Sequence, residues 1–202
     1  MHISDGILSA PVLVTGFVGT GIVAAATLRN MDMEEVPKIA VITSVFFVAS
    51  LIHVPVGPAS VHLILNGLVG VVLGLRAFPA IMLGIILQAI LFGHGGVSVI
   101  GVNTLMLGGG ALVAYGVWQQ RHRFNMAKKE VVFGALAGAT GTISSGMILA
   151  LALVTTGEAF FATAGYALAM HIPIMIVEGV VVGACAGFLK RVKPEALAGE
   201  RP

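Results

Sequence analysis

The longest charge-free runs in this 202-residue chain decide what it can fold into. A helix needs about 20 apolar residues to cross the hydrocarbon of a bilayer, where backbone amides find no water. Five runs are that long; four carry no formal charge and the last carries only Glu178: 7–28, 39–75, 77–120, 131–157 and 159–189. The chain is therefore predicted to be an all-α membrane protein.

Two of these runs are long enough for two helices each, and turn residues divide them. The segment 53–58, with two prolines and a glycine, interrupts the second run, and the glycine-rich segment 93–96 interrupts the third. Such clusters end helices. We therefore predict a single transmembrane domain, 1–202, built as a seven-transmembrane-helix bundle. The approximate helix bounds are 7–28, 37–54, 59–75, 77–93, 100–120, 131–157 and 164–189.

The eleven lysine and arginine residues test this count. With seven helices, all of them fall on one side of the membrane, after the first, third, fifth and seventh helices. Basic residues mark the cytoplasmic side. The N-terminus is therefore predicted outside and the C-terminus in the cytoplasm, in a multi-pass protein of the cell (inner) membrane.

Composition and motifs exclude several classes of protein. Charged residues make up 10% of the chain and hydrophobic residues 57%, which excludes a soluble domain and a nucleic-acid-binding protein. A single cysteine, Cys185, excludes a disulfide framework. The sequence has no His-Glu-x-x-His, Gly-x-Ser-x-Gly or P-loop motif, so we predict neither an enzyme nor an ATP-binding subunit. If transport is uphill, another subunit supplies the energy.

Small residues recur at close spacing in several predicted helices. Gly134 and Gly138 form such a ridge in the sixth helix, and Gly67, Gly70 and Gly74 form one in the third. These ridges let helices approach closely in lipid. We expect packing within the bundle, with a docking face for a partner subunit as the alternative.

Polar side chains concentrate at the predicted outer ends of the helices. Polar groups are costly in lipid and usually functional. Only one histidine, His122, falls on the cytoplasmic side. The outer set contains five histidines and two asparagines: His2, His53, His62, His94, His171, Asn66 and Asn103. This many imidazoles favours a borderline metal ion or a proton as the ligand.

His2 has the most specific position of these residues. A free amine on Met1, the deprotonated amide nitrogen of His2 and one of its ring nitrogens close fused chelate rings around one ion. The three nitrogens lie in a plane with one corner open, which suits Cu(II) and Ni(II), and Co(II) less well. The alternative is that His2 is solvated at the chain end.

Other outer residues have competing interpretations. His62 lies in the predicted first turn of the third helix, with Asn66 one turn further along the same face. It is either the fourth ligand or an interfacial imidazole. His53 and His94 lie in turns and fit structural or access-path positions.

The last predicted helix carries two further polar groups, His171 and Glu178. They are seven residues apart, which places them on one face of the helix. Glu178 is either a proton or cation relay, or it is neutralised by hydrogen bonds between helices.

The motifs around these residues resemble those of the CbiM/NikM family, the substrate-capture proteins of energy-coupling-factor (ECF-type) nickel and cobalt importers. The start of the chain, 1–9, is similar to that family's Met-His-Ile-x-(Asp/Glu)-Gly opening. Segment 55–67 is similar to its Gly-x-x-Ser-x-His-Leu motif. Segments 92–103 and 171–179 resemble its loop before the fifth helix and its last helix. The resemblance covers essentially the whole chain.

This resemblance implies that Met1, His2 and His62 bind the metal ion. It also makes Asn103 similar to a position that supports the ligands, and His94 a neighbour of the site. The remaining candidates for supporting contacts or an access path are Asn66, His53, His171 and Glu178.

The resemblance also implies partners and a substrate. It implies no intrinsic cofactor, with Ni(II) or Co(II) bound as the substrate. The implied partners are a transmembrane coupling subunit, cytoplasmic ABC ATPases, membrane lipid and, in some systems, a small accessory membrane subunit, with no nucleic acid.

We therefore expect the metal-binding component of an ATP-driven importer for Ni(II), with Co(II) uptake for cobalamin synthesis as the alternative. Two interpretations from other classes stay open. One is a membrane scaffold subunit with incidental histidines, and the other is a proton-coupled carrier that uses Glu178.

Overall fold

The computed structural model describes residues 2–51 and 63–200, together with the backbone of 54–56 and 59–61. Within these residues the chain forms seven α-helical segments and one short hairpin. The helices are α1 (Ala10–Leu28), α2 (Val36–Leu51), α3 (Asn66–Leu73), α4 (Ala77–Phe92), α5 (Ile100–Gln119), α6 (Lys129–Thr156) and α7 (Phe161–Val192). The antiparallel hairpin pairs β1 (Val54–Val56) with β2 (Ala59–Val61).

Five helical stretches in the described residues are long and apolar enough to cross a membrane. They are α1, α5 with its following turn, α6, α7 with its preceding turn, and one 27-residue stretch that joins α3 to α4. At a rise of about 1.5 Å per residue, the eight residues of α3 are too short to cross alone. The chain is thus a multi-pass helical membrane protein, while seven separate spans and their orientation stay predictions.

The third predicted helix, 59–75, is wrong in its first half. Residues 59–61 pair with the preceding strand, residues 63–65 are not helical, and α3 begins only at Asn66. Leu65 has φ +54, a left-handed conformation that interrupts a right-handed helix. The predicted helical spacing of one turn between His62 and Asn66 is therefore wrong, although His62 itself lies outside the described residues.

The first predicted helix, 7–28, begins three residues too early. The structure starts α1 at Ala10, with Pro11 in its first turn. Proline is tolerated there because the first amides of a helix have no partner inside the helix. Residues 2–9 are left free to fold back against the end of the bundle.

The glycine ridges pack inside the bundle, as expected. A Cβ added to Gly67 would lie 2.6 Å from the Cα of Gly138, and one added to Gly138 would lie 2.6 Å from the carbonyl oxygen of Glu178. A Cβ on Gly134 would lie 2.7 Å from the side chain of Ala186. These approaches bring α3, α6 and α7 closer together than larger residues allow.

Hydrogen bonds place the loops at two ends of the bundle. At one end, residues 2–9 contact the 93–98 loop and the last residue of α6. At the opposite end, Arg76 donates to Glu35 at 2.8 Å, and Arg121 and Lys190 donate to Glu200 at 3.2 and 2.9 Å. Arg76, Arg121 and Lys190 therefore lie at the same end of the bundle.

The tail after α7 folds over the second end of the bundle. Leu197 is buried, and the backbone of Ala198 accepts a hydrogen bond from Trp118 Nε1 at 3.0 Å. Burial raises the pKa of Glu200, but its hydrogen bonds from Lys190 and Arg121 outweigh this and leave that pKa below its ordinary value. The tail is therefore held by both apolar contact and charge.

Candidate metal centre

A single asparagine anchors the start of the chain. The Ile3 amide donates to Asn103 Oδ1 at 3.0 Å, and Asn103 Nδ2 donates back to the Ile3 carbonyl at 3.0 Å. Both side chains are buried, at 3% and 1% exposure. Asn103 lies in the first turn of α5, so a rigid helix fixes the residue next to His2. We call this pair of hydrogen bonds the asparagine clamp.

The 93–98 loop provides a second anchor. The Asp5 amide donates to the Gly95 carbonyl at 2.7 Å. The Asp5 carboxylate accepts hydrogen bonds from both the amide and the hydroxyl of Ser98. Residues 3 and 5 are thus tied at two separate points, which limits where the intervening chain and its N-terminal neighbour can lie.

Two imidazoles meet at this end of the bundle. The ring centroids of His2 and His94 are 6.3 Å apart, and the two rings are inclined by 20°. The ring centroid of Phe92 is also 6.3 Å from that of His94. Gly95 makes room for this arrangement. Its φ is +77, and a Cβ there would lie 2.7 Å from Asn103 Nδ2 and 3.5 Å from the Cβ of His2.

Of the predicted ligands Met1, His2 and His62, His2 lies among the described residues. Met1, His62 and His53 lie outside the described residues. Among the residues that are described, no group of three or more His, Cys, Asp or Glu side chains could hold a metal ion. The ligand roles of Met1, His2 and His62 therefore stay predictions, and what the structure gives is the framework around His2.

Asn66 connects helices deep inside the bundle. Its Nδ2 donates to Ser145 Oγ at 2.8 Å and to the carbonyls of Leu107 and Gly141 at 3.3 Å each. Ser145 in turn donates to the Met106 carbonyl at 2.9 Å. These bonds join the first residue of α3 to α5 and α6, so Asn66 fixes the position of α3.

His171 lies within α7, as predicted, but it is buried inside the bundle rather than at an exposed end of the helix. It is 1% exposed, and its Nδ1 donates to the Ala167 carbonyl one turn earlier, at 2.8 Å. Its ring packs against α6, where a Cβ on Gly146 would lie 2.7 Å from His171 Cγ. The helix continues past Pro173, which explains why a residue near a helix-breaking signal is buried in the bundle.

Glu178 is held by hydrogen bonds between elements, one of the two roles considered for it. The side chain is fully buried, and its Oε1 accepts from the amides of Ile64 and Leu65, the latter at 2.9 Å. Its second oxygen, Oε2, has no hydrogen-bond partner among the described residues. The carboxyl group thus fixes the backbone that leads into α3.

Sequence reasoning missed the roles of Asp5 and Ser98. The acidic residue of the opening motif was a visible signal for Asp5, since a carboxylate beside a glycine at a chain end suggests a hydrogen-bonded turn. Nothing local marks Ser98, whose partner is 93 residues away. Together with Asn103 and Gly95, these residues form a rigid seat that can present His2 to an ion.

Comparison with known proteins shows what kind of transporter this framework belongs to. A "Putative metal transport protein" of Haemophilus influenzae is 35% identical over 199 residues, which are 98% of this chain and 97% of that protein. The fused nickel transport protein NikMN of Rhodobacter capsulatus is 28% identical over 225 residues, with 100% of this chain and 65% of that protein covered.

A solved structure shares the fold. The crystal structure of a transition metal transporter superposes with a TM-score of 0.81 at 24% identity, over 96% of this chain and 95% of its own. The family described as the cobalt uptake substrate-specific transmembrane region, CbiM, matches residues 2–196. With a match over that length, and a metal transport relative at 35% identity along nearly the whole chain, the protein belongs to the CbiM family of metal uptake components.

Proposed function

We propose that this chain is the substrate-specific component of an ATP-driven, ECF-type importer, and that it captures Ni(II) at the outer face of the cell membrane. The ligands are the Met1 amine, the His2 amide and ring nitrogens, and the His62 ring. Co(II) is the alternative substrate. The protein acts as a binding component and not as an enzyme.

The observation that carries this proposal is the double anchoring of the N-terminal segment. A solvated chain end needs no buried asparagine clamp, yet here Ile3 is 3% exposed and Asn103 is 1% exposed. The His2 ring also lies beside His94 rather than pointing away from the bundle. An incidental histidine on a scaffold subunit does not explain this pre-organisation, which is what a chelate at the chain end requires.

The choice of Ni(II) follows from the ligands. Four nitrogens in a plane, one of them an anionic amide, suit a planar d8 ion better than Co(II). Cu(II) would bind the same set at least as tightly, so its exclusion in the cell depends on metal availability.

The proposed partners are those that the family resemblance implies: a transmembrane coupling subunit and cytoplasmic ABC ATPases. The lack of a P-loop in this chain is consistent with nucleotide hydrolysis by another subunit. A small accessory membrane subunit completes the proposed assembly.

The proposal is tested by moving the free terminal amine one residue away from His2. One alanine added before Met1 turns the old amine into an amide, while one alanine added after Pro202 is the matched control. Ni(II) affinity of the purified protein, measured by competition with a chromophoric chelator, should be lost in the first variant and unchanged in the second.

Two histidine variants locate the fourth ligand. His62→Ala should weaken Ni(II) binding by at least about 10–100-fold, because loss of even a supporting group costs that much. His122→Ala is the control, since His122 is exposed in the turn after α5.

For the N-terminally extended chain, undiminished Ni(II) binding would show that the Met1 amine is not a ligand.

A further inference from the structure

The buried carboxyl group of Glu178 has a position that the proposed ligands alone do not explain. It is fully buried within α7, among mostly apolar residues. A carboxyl group is expensive at such a place unless its oxygens are used. One oxygen is used twice, by the amides of Ile64 and Leu65.

The backbone that Glu178 holds is not in a relaxed conformation. Leu65 has φ +54, which residues with a Cβ rarely adopt. Its side chain and that of Ile64 are buried, at 7% and 2% exposure. A left-handed residue inside a packed bundle persists only where its surroundings fix it, and the two hydrogen bonds to Glu178 do so here.

Glu178 itself sits on a rigid support. The backbone carbonyl oxygen of Glu178 would lie 2.6 Å from a Cβ added to Gly138. The absence of a side chain on Gly138 thus lets α7 pack closely against α6. On the other side, the Asn66 side chain donates hydrogen bonds to α5 and α6. The short segment 64–66 is therefore fixed from two directions.

The segment that is fixed in this way follows His62 directly. Ile64 comes two residues after His62, and two peptide units span at most about 7.6 Å between Cα atoms. Because the backbone of Ile64 is held in place, the positions available to the His62 ring are limited.

We propose that Glu178 is a positioning residue for the metal site: through the Ile64 and Leu65 amides it sets the place of His62, the fourth ligand. This inference rests on the proposed function. It replaces the relay role that a lone intramembrane carboxyl group also suggests. The two roles predict opposite results when the acidic group is replaced by an amide.

The first test uses three substitutions of Glu178. Glu178→Gln keeps an oxygen that accepts both amides and should stay within about threefold of the wild-type Ni(II) affinity. Glu178→Met keeps the length but has no acceptor, and it should lose at least about tenfold. A relay instead predicts that the glutamine variant fails in metal uptake as badly as the methionine variant, because neither can ionise.

The matched control is Gln88→Met. Gln88 is also a fully buried polar side chain, but its hydrogen bond goes to Ser50 of α2 at 2.6 Å. Removing it costs general stability without touching segment 64–66. Its Ni(II) affinity should match the wild type.

A double-mutant cycle shows whether Glu178 acts through His62. If it does, the combination of Glu178→Met with His62→Ala binds Ni(II) like His62→Ala alone, within about twofold. The visible absorption of the Ni(II) complex gives a second readout. Glu178→Met should shift the ligand-field band toward that of His62→Ala, since both lose a nitrogen from the plane.

The outcomes separate this inference from the proposed function. Wild-type protein that binds no Ni(II), or His62→Ala that binds normally, refutes the proposed site. A wild-type site that needs His62 but is indifferent to Glu178→Met, or additive losses in the cycle, refutes the positioning role alone. If the methionine variant does not fold, Glu178→Asp provides the test. The aspartate side chain is one methylene shorter, so its carboxyl group is withdrawn from the Ile64 and Leu65 amides. This variant should lose affinity by at least about threefold, and full affinity would overturn the proposal.

Discussion

The asparagine clamp can be removed with little change in volume by the substitution Asn103→Leu. Leucine fills a similar space in α5 but offers neither the acceptor for the Ile3 amide nor the donor for its carbonyl. The N-terminal segment then loses two of the hydrogen bonds that seat it. We expect a folded protein whose Ni(II) affinity is reduced.

The size of the loss follows from these contacts. Each intramolecular hydrogen bond contributes about 0.5–1.5 kcal/mol net, so the pair is worth about 1–3 kcal/mol. Burial of the Ile3 side chain, about 1.5–3 kcal/mol, still favours the docked segment in the variant, so the lost hydrogen bonds set the size of the change. Since 1.4 kcal/mol is tenfold in affinity, we expect a decrease of roughly 5–150-fold.

The neighbouring residue provides the control for this prediction. Thr104 is fully buried, and its hydroxyl has no hydrogen-bond partner among the described residues, so Thr104→Val should bind Ni(II) like the wild type. The assay is chelator competition on detergent-solubilised protein, with thermal unfolding followed in parallel. If Asn103→Leu stays folded and binds within about threefold of the wild type, the clamp does not hold the ligand segment.

Three other perturbations test further parts of the structure. Gly95→Ala should weaken Ni(II) binding in the same assay, because its φ is +77 and the new Cβ would lie 2.7 Å from the amide nitrogen of the clamp. Gly67→Ala should lower the melting temperature because its Cβ would meet backbone at 2.6 Å, whereas Gly21→Ala, with open space around it, should raise stability by up to about 1 kcal/mol. Glu200→Gln should loosen the tail at neutral pH, seen as a red shift in the emission of Trp118, the single tryptophan. Because the folded-state pKa of Glu200 is lowered, the difference between this variant and the wild type should disappear as acid protonates the carboxylate.

The membrane character of the chain follows from its sequence, because lipid imposes a length and polarity that a run of residues either has or lacks. The helix break at 93–96 could also be predicted, since glycine acts locally, and Gly93 ends α4 in a left-handed conformation. Residues 54–56 leave the helix as expected but form a strand. Helix bounds at 77–92 and 100–119 differ from the prediction by one residue each. The glycine ridges likewise found their partners inside the bundle.

The start of α3 could not be predicted, and the reason is physical. Residues 59–65 are apolar enough to continue a helix, but the amides of Ile64 and Leu65 bond to a carboxyl group more than 110 residues away. The contact of Asp5 with Ser98 is of the same kind. Local pattern and hydropathy carry no information about such distant partners, so the sequence predicted candidate residues but not the contacts that hold them.

The seat of residues 2–5 also bears on how fast an ion can exchange. If the chain end supplies the ligands, an ion leaves only when this segment opens, and opening requires the bonds at Ile3 and Asp5 to break together. Local opening of this kind has its own rate, independent of any competing chelator in solution. We therefore expect a long residence time that does not shorten as chelator is added. A partner that displaces the 93–98 loop would release the ion without altering any ligand.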